Sequence, residues 1–97
     1  MNDTISEEKL AKYLDTTKRA LDKLKIAAPE RSFGWRMAED FLNMATSYYN
    51  DALHFRSSGD YVNAFASVNY AHGWLDCGAR IGLFEVGGDD KLFTLYE

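Results

Sequence analysis

The segment over residues 48–84 constrains the fold more than any other part of this sequence. Two stretches with helical spacing of apolar residues flank the short sequence Ser58-Gly59-Asp60. A glycine just past the end of a helix accepts a left-handed cap, and aspartate is a preferred residue at a helix N-cap. The sequence therefore predicts a tight turn between two antiparallel helices.

The helix after this turn is predicted over residues 61–83, and apolar side chains occupy two of its sides. The side expected to face the core carries Ala64, Phe65, Val68, Ala71, Leu75, Ala79 and Leu83. The other apolar side carries Tyr70, Trp74, Cys77 and Ile81. A helix with so little polar surface is largely enclosed, so we expect it to pack against both other helices.

The second helix is predicted over residues 32–58, with Ser32 as its N-cap. Its apolar residues recur at helical spacing. They are Met37, Phe41, Met44, Ala45, Tyr48, Ala52 and Phe55.

The first helix is predicted over residues 5–26, because its apolar residues alternate steps of four and three. They are Leu10, Leu14, Thr17, Leu21 and Leu24. Thr4 and Glu7 have the spacing of a capping box, and Pro29 disfavours helix in the residue before it.

Residues 85–97 form a tail that begins with the helix breaker Gly87-Gly88. Four large apolar residues follow in this tail: Leu92, Phe93, Leu95 and Tyr96. We expect them to pack on the bundle or on a second subunit. The chain is thus predicted to be a single all-α domain over residues 1–97. Its fold class is an up-and-down antiparallel bundle of three helices with a short C-terminal tail packed on it.

Composition limits the classes of partner. The net charge is −4 and basic residues are interleaved with acidic ones, so nucleic acid is not an expected partner. No apolar run is long enough to cross a membrane, so no membrane association is expected. The aromatic fraction of 14% suggests surface left for self-association, so a homodimer or an unknown protein partner is expected.

The single cysteine, Cys77, excludes a disulfide within the chain and a zinc site built on cysteines. A chain of this kind suits a reducing cytoplasm, which is the predicted location. Cys77 shares a helix side with Trp74 and Ile81, so its thiol is expected to be buried and inert.

A polar row on the third helix is the leading candidate for chemistry. His72, Asp76 and Arg80 follow at steps of four and therefore lie on one helical face. A histidine oriented by a carboxylate is typical of acid–base catalysis or of metal ligation. The alternative is an ion pair between Asp76 and Arg80, with the histidine at the edge of the core.

Counting outward from the turn brings polar residues of the second helix near this row. The resulting candidate binding patch, between the second and third helices, comprises Asp40, Asn43, Tyr48, His72, Asp76 and Arg80. The same counting separates His54 from His72 by about 10 Å along the helix axis, which argues against a metal site using both. We expect no metal and no cofactor. The candidate interaction residues are Tyr70, Trp74 and Ile81.

Glycines inside the third helix indicate a close approach. Gly73, Gly78 and Gly82 each cost up to about 1 kcal/mol relative to alanine in a helix. A neighbouring helix backbone or a ligand would explain them.

Several motifs follow one another through the second and third helices. They are Tyr48-x-x-Asp51-Ala52-x-x-Phe55, Gly59-Asp60-Tyr61, Ala64-Phe65 and Tyr70-Ala71-His72-Gly73-Trp74-Leu75-Asp76, then Gly78, Arg80, Gly82 and Leu83-Phe84. Over residues 35–95 this pattern resembles the archaeal family called domain of unknown function 357. The resemblance implies a small up-and-down helical bundle in an archaeal cytoplasm, and it implies no reaction.

The sequence holds no phosphate loop, nucleophile elbow or metalloprotease motif, and we assign no catalytic residue. The first hypothesis for function is therefore a non-enzymatic protein-interaction or adaptor module. The second is a small-molecule or metal-binding protein, or a weak hydrolase, that uses the patch between the second and third helices.

Overall fold

The computed structural model describes residues 5–87, and within them the chain forms three helices and one small sheet. In chain order the elements are α1 (Glu7–Lys23), β1 (Lys25–Ile26), α2 (Phe33–Ser57), α3 (Tyr61–Arg80) and β2 (Phe84–Glu85). The predicted all-α three-helix bundle is confirmed. The predicted packing of the C-terminal tail, with Leu92, Phe93, Leu95 and Tyr96, lies outside the described residues. As expected, α3 packs against both other helices, whereas α1 meets α2 only sparsely.

The turn between α2 and α3 has the chemistry that the sequence predicts. Gly59 adopts a φ of +80°, and the amide of Asp60 donates to the carbonyl of Phe55 at 2.9 Å, which closes a Schellman motif. The Asp60 carboxylate then accepts a hydrogen bond from the amide of Asn63 at 3.1 Å and caps α3. One short segment therefore ends α2 and starts α3.

Ser32 caps α2 as expected, because its hydroxyl accepts from the amide of Trp35 at 3.1 Å. The N-cap of α1 is Ser6, whose hydroxyl accepts from the amide of Lys9. Thr4, in the predicted capping box, lies outside the described residues.

The prediction that the first helix continues to residue 26 is wrong. Leu24 is extended, and Lys25 and Ile26 pair antiparallel with Glu85 and Phe84. The amide of Ala27 also donates to the carbonyl of Leu83 at 2.9 Å. Backbone partners from the far end of the chain therefore replace the last helical turn with a strand.

The third helix ends earlier than the predicted residue 83. Gly82 has a φ of +85°, and the amide of Leu83 donates to the carbonyl of Gly78 at 2.8 Å. This is a second Schellman motif, so Gly82 is a capping glycine rather than a point of close approach inside the helix. It turns the chain toward β2.

Small residues at sevenfold spacing are buried on both α2 and α3. Ala38, Ala45 and Ala52 on α2 are fully buried, and Ala64, Ala71 and Gly78 are buried on α3. We call these six residues the small-residue seam. Ala52 packs in one cluster with Ala64 and Val68, and Ala45 packs in a second with Leu75.

The large apolar residues predicted for the core side of α2 flank this seam and are only half-buried. They are Met37, Phe41, Met44, Tyr48 and Phe55. The distance between two packed helices depends on the side chains at their contact, so alanine and glycine permit a close approach. The hydrophobic pattern of the sequence predicted that the larger side chains would be the most buried.

Gly78 is the place in α3 where another group comes closest. A Cβ built on Gly78 would overlap the ring of Phe84, which is itself buried. The expected close approach is therefore real at this position, but the approaching group is an aromatic side chain of β2. Among the described residues nothing lies within 4 Å of a Cβ built on Gly73.

We expect Ala71→Leu to lower the free energy of unfolding by about 1–3 kcal/mol, because Ala71 is fully buried and leaves no room for a larger side chain. Ala66→Leu is the matched control, since Ala66 is exposed on the same helix. It should change the free energy by no more than about 0.5 kcal/mol. Urea denaturation followed by circular dichroism measures both. Equal losses would contradict close packing at the seam.

Gly78→Ala is expected to lower the free energy of unfolding by about 1–3 kcal/mol, because the Phe84 ring must leave its position. Gly73→Ala should raise it by up to about 1 kcal/mol, since alanine is the better helix former and has open space there. The same denaturation experiment compares the two variants. A Gly78→Ala protein as stable as Gly73→Ala would show that Phe84 does not rest on α3.

Candidate functional site

A groove of about 430 Å³ lies between α1 and α3. We call it the α1–α3 groove. Four of its lining residues come from each helix: Lys12, Tyr13, Thr16 and Thr17 from α1, and Asn69, His72, Gly73 and Asp76 from α3. Amphipathic spacing on both helices brings these side chains to the edge where α1 packs on α3.

The His72 ring is held between the two helices. Its Nδ1 lies 3.1 Å from the hydroxyl oxygen of Thr17, which is only 2% exposed. Its Nε2 lies 3.6 Å from a carboxylate oxygen of Asp76, one helical turn along α3. Both ring nitrogens therefore have a neighbouring polar group from the protein itself.

Thr17, His72 and Asp76 place a hydroxyl, an imidazole and a carboxylate in sequence. The same arrangement occurs in enzymes where a histidine activates a hydroxyl nucleophile. Such a nucleophile must meet its substrate, and the Thr17 hydroxyl is enclosed between the helices. The contact between the buried Thr17 hydroxyl and the His72 ring instead joins α1 to α3 within a mainly apolar interface. This geometry favours the structural interpretation of the histidine.

The structure divides the predicted binding patch rather than assembling it between α2 and α3. His72 and Asp76 line the α1–α3 groove, and Arg80 is exposed in the last turn of α3. The Tyr48 ring stacks on Tyr70, with centroids 5.4 Å apart.

Asp40 and Asn43 are exposed on α2, and neither is among the described residues that line the groove. Counting from a turn gives the position of a residue along the axis. It does not show which neighbouring helix the side chain faces. The expected patch therefore combined residues that face different helices.

Within residues 5–87, no group of three or more histidine, cysteine, aspartate and glutamate side chains is placed to hold a metal ion.

The second candidate surface is the outward side of α3. Tyr70 is 63% exposed and Ile81 is 57% exposed, while Trp74 between them is half-buried. Cys77 is exposed, so the expectation of a buried thiol is wrong. We call Tyr70, Trp74, Cys77 and Ile81 the α3 strip.

Contacts with α2 fix the two aromatic rings of the α3 strip. Tyr70 stacks on Tyr48, and the Trp74 ring meets the Phe41 ring edge to face, with centroids 5.0 Å apart. A shallow depression beside them is lined by Asn69, Tyr70, Gly73, Trp74 and Cys77. The strip is thus a partly ordered apolar surface on the outside of the bundle.

The contribution of α1 to the groove was missed from the sequence, although one signal was present. Thr17 is the polar residue in an otherwise leucine stripe, at a position that the periodicity assigns to the core. A buried hydroxyl needs a hydrogen-bond partner, and His72 provides it.

These features define a small all-α protein in which α2 and α3 form a helical hairpin and α1 packs on α3. A family model described as protein of unknown function (DUF357) matches residues 12–84. The chain therefore belongs to this family, as the motifs of α2 and α3 indicated. Searches of curated proteins and of solved structures found no match. None of the helices in residues 5–87 is long and apolar enough to cross a membrane.

Thr17→Val is expected to lower the free energy of unfolding by about 0.5–1.5 kcal/mol, because it keeps the side-chain shape but removes the partner of His72. Thr16→Val is the matched control. Its hydroxyl bonds the carbonyl of Lys12 in the same helix, so its loss should cost less. Thermal and urea denaturation compare the variants. Identical stabilities would mean that the Thr17–His72 contact contributes nothing to holding α1 on α3.

Proposed function

We propose that this chain is a non-enzymatic protein-interaction module that binds a second copy of itself through the α3 strip. Tyr70 and Ile81, at the two ends of this strip, are both more than half exposed. Large apolar side chains more than half exposed on one helix side are typical of an interaction surface.

The spacing within the α3 strip fits a helical partner. Positions 70, 74, 77 and 81 follow at steps of four, three and four, which is the pattern of a seam between packed helices. A helix side with this spacing offers side chains that insert between those of a facing helix. The Trp74 and Tyr70 rings, already fixed by α2, would lose little conformational freedom on binding.

Gly73 supports the same interaction surface. It lies in α3 beside the strip, where glycine costs about 1 kcal/mol relative to alanine. Among the described residues nothing is within 4 Å of the position of its missing Cβ. Because Gly73 has no side chain, the side chains of a facing helix could contact the α3 backbone at this position.

The alternative, binding of a small molecule or weak hydrolysis in a polar patch, has less support. The imidazole of His72 lies between Thr17 and Asp76. A general base needs a nitrogen directed at the substrate, and a nucleophile needs access to it. The α1–α3 groove therefore supports a structural role for these residues better than a catalytic one.

We expect the wild-type chain to sediment as a dimer and Ile81→Glu to sediment as a monomer, because a buried carboxylate opposes the interface. Val62→Glu is the matched control, since Val62 is also an exposed apolar residue of α3 but lies outside the strip. It should remain a dimer. Analytical ultracentrifugation over a dilution series, in reducing buffer so that Cys77 forms no disulfide, measures the mass.

A wild-type monomer at every concentration would contradict the proposal. An Ile81→Glu protein that remains dimeric would place the interface elsewhere. Circular dichroism of each variant confirms that the helices are retained.

A further inference from the structure

A second row of apolar side chains lies beside the α3 strip, on α2. We call it the α2 row, and it comprises four half-buried residues: Met37, Phe41, Met44 and Tyr48. The Tyr48 ring stacks on Tyr70, and the Phe41 ring meets the Trp74 ring edge to face. The row and the strip therefore form one continuous face of the hairpin.

The first helix packs on a different side of α3. It meets α3 where the buried Thr17 hydroxyl contacts the His72 ring. At 100° per residue, His72 points about 160° away from Tyr70 around the helix axis. Among the described residues, Tyr70, Cys77 and Ile81 remain exposed on the face that the row and the strip share.

The spacing within each row reads the same in both chain directions. The α2 row follows at steps of four, three and four, and so does the α3 strip. A twofold axis at right angles to a helix pairs residues that lie equally far on either side of it. In the strip this axis passes between residues 75 and 76. It places Tyr70 opposite Ile81 of a second copy, and Trp74, the largest side chain of the strip, opposite Cys77, the smallest.

One twofold axis serves both rows. The centre of the α2 row lies between residues 42 and 43. The ring contacts place position 48 beside position 70 and position 41 beside position 74. The centres of the row and the strip therefore lie at the same height on the hairpin, to within about one helical turn. Rotation about this axis brings strip onto strip and row onto row together.

Charged residues beside the α2 row favour this antiparallel arrangement over a parallel one. Arg36 and Asp51 are exposed on α2, on the side of the row away from the buried Ala45. They are about 22 Å apart along the helix and cannot meet within one chain. About the twofold axis, Arg36 falls within about 3 Å of Asp51 of the second copy, measured along the helix. A parallel pair would instead bring like charges together, which opposes association.

From the continuous face, the shared symmetry and the charges, we propose that two hairpins pack face to face and antiparallel. Helices α2 and α3 of both copies then form a four-helix core, in which Met37 and Met44 become buried. This inference rests on the homodimer proposed above. It adds the α2 row to the interface and fixes the orientation of the second copy.

Disulfide formation between two variants of the full chain tests the orientation. Tyr70→Cys and Ile81→Cys are each made in a Cys77→Ser background, so that every copy carries one thiol. The two variants are mixed in equal amounts and oxidised mildly. Mass spectrometry of the intact dimers separates the mixed disulfide from the two like-with-like disulfides. Val62→Cys in the same background is the matched control, since Val62 is exposed on α3 outside the strip.

We expect the mixed disulfide to form at least roughly tenfold faster than either like-with-like disulfide or any disulfide of Val62→Cys, because a disulfide requires closely opposed Cβ atoms. An excess of like-with-like disulfides would indicate parallel copies and overturn this inference, while the homodimer would stand. Rates no faster than those of Val62→Cys would overturn both the orientation and the homodimer through the strip.

Substitution in the α2 row tests the second part of the interface. Met44→Glu should sediment as a monomer in analytical ultracentrifugation, because Met44 lies close to the twofold axis and the new carboxylate would be buried. Asn43→Glu is the matched control, since Asn43 is exposed on the same helix outside the row, and it should remain a dimer. A dimeric Met44→Glu beside a monomeric Ile81→Glu would overturn this inference alone.

A charge exchange keeps the test valid if circular dichroism shows that Met44→Glu loses its helices. Arg36→Asp and Asp51→Arg should each raise the dimer dissociation constant by at least roughly threefold, and the double variant should restore it. Their distance within one chain means that any such coupling arises between copies. A double variant no tighter than the single ones would overturn the antiparallel arrangement.

Discussion

The close contact between α2 and α3 determines most of what is seen on the surface of this protein. The alanines and the glycine of the small-residue seam are buried, whereas larger apolar side chains of α2 beside them are only half-buried. On one flank they form the aromatic pairs of Tyr48 with Tyr70 and of Phe41 with Trp74. The α3 strip is therefore a consequence of how the hairpin packs.

The first helix depends on this hairpin for its position. Leu10 and Leu14 pack with Ala64 and Val68 at one end, and Ala20 packs with Leu75 and Phe84 at the other. Between these two clusters the buried Thr17 hydroxyl meets the His72 ring. An unpaired hydroxyl would be costly there, so this contact specifies the register in which α1 lies on α3.

The sequence predicted the features that local chemistry determines. Ser32, Gly59 and Asp60 act at the helix ends as their backbone preferences require, and three helices follow from the apolar spacing. The pairing of β1 with β2 could not be predicted, because two-residue strands have no periodicity and their partners are distant in sequence. The exposure of Cys77 and the groove that His72 lines depend on which helix packs against each side of α3. A single helical wheel does not contain that information.

In the proposed homodimer, a second copy of the chain covers the α3 strip. Cys77 is the only thiol of the chain, is exposed and lies within the strip, so its reactivity reports on that surface without any substitution. The most direct measurement is the rate at which a thiol reagent modifies Cys77 in native protein over a wide range of protein concentration. If a second copy covers the strip, the rate falls as the protein becomes more concentrated and is restored in denaturant. A native rate that is independent of protein concentration would contradict it.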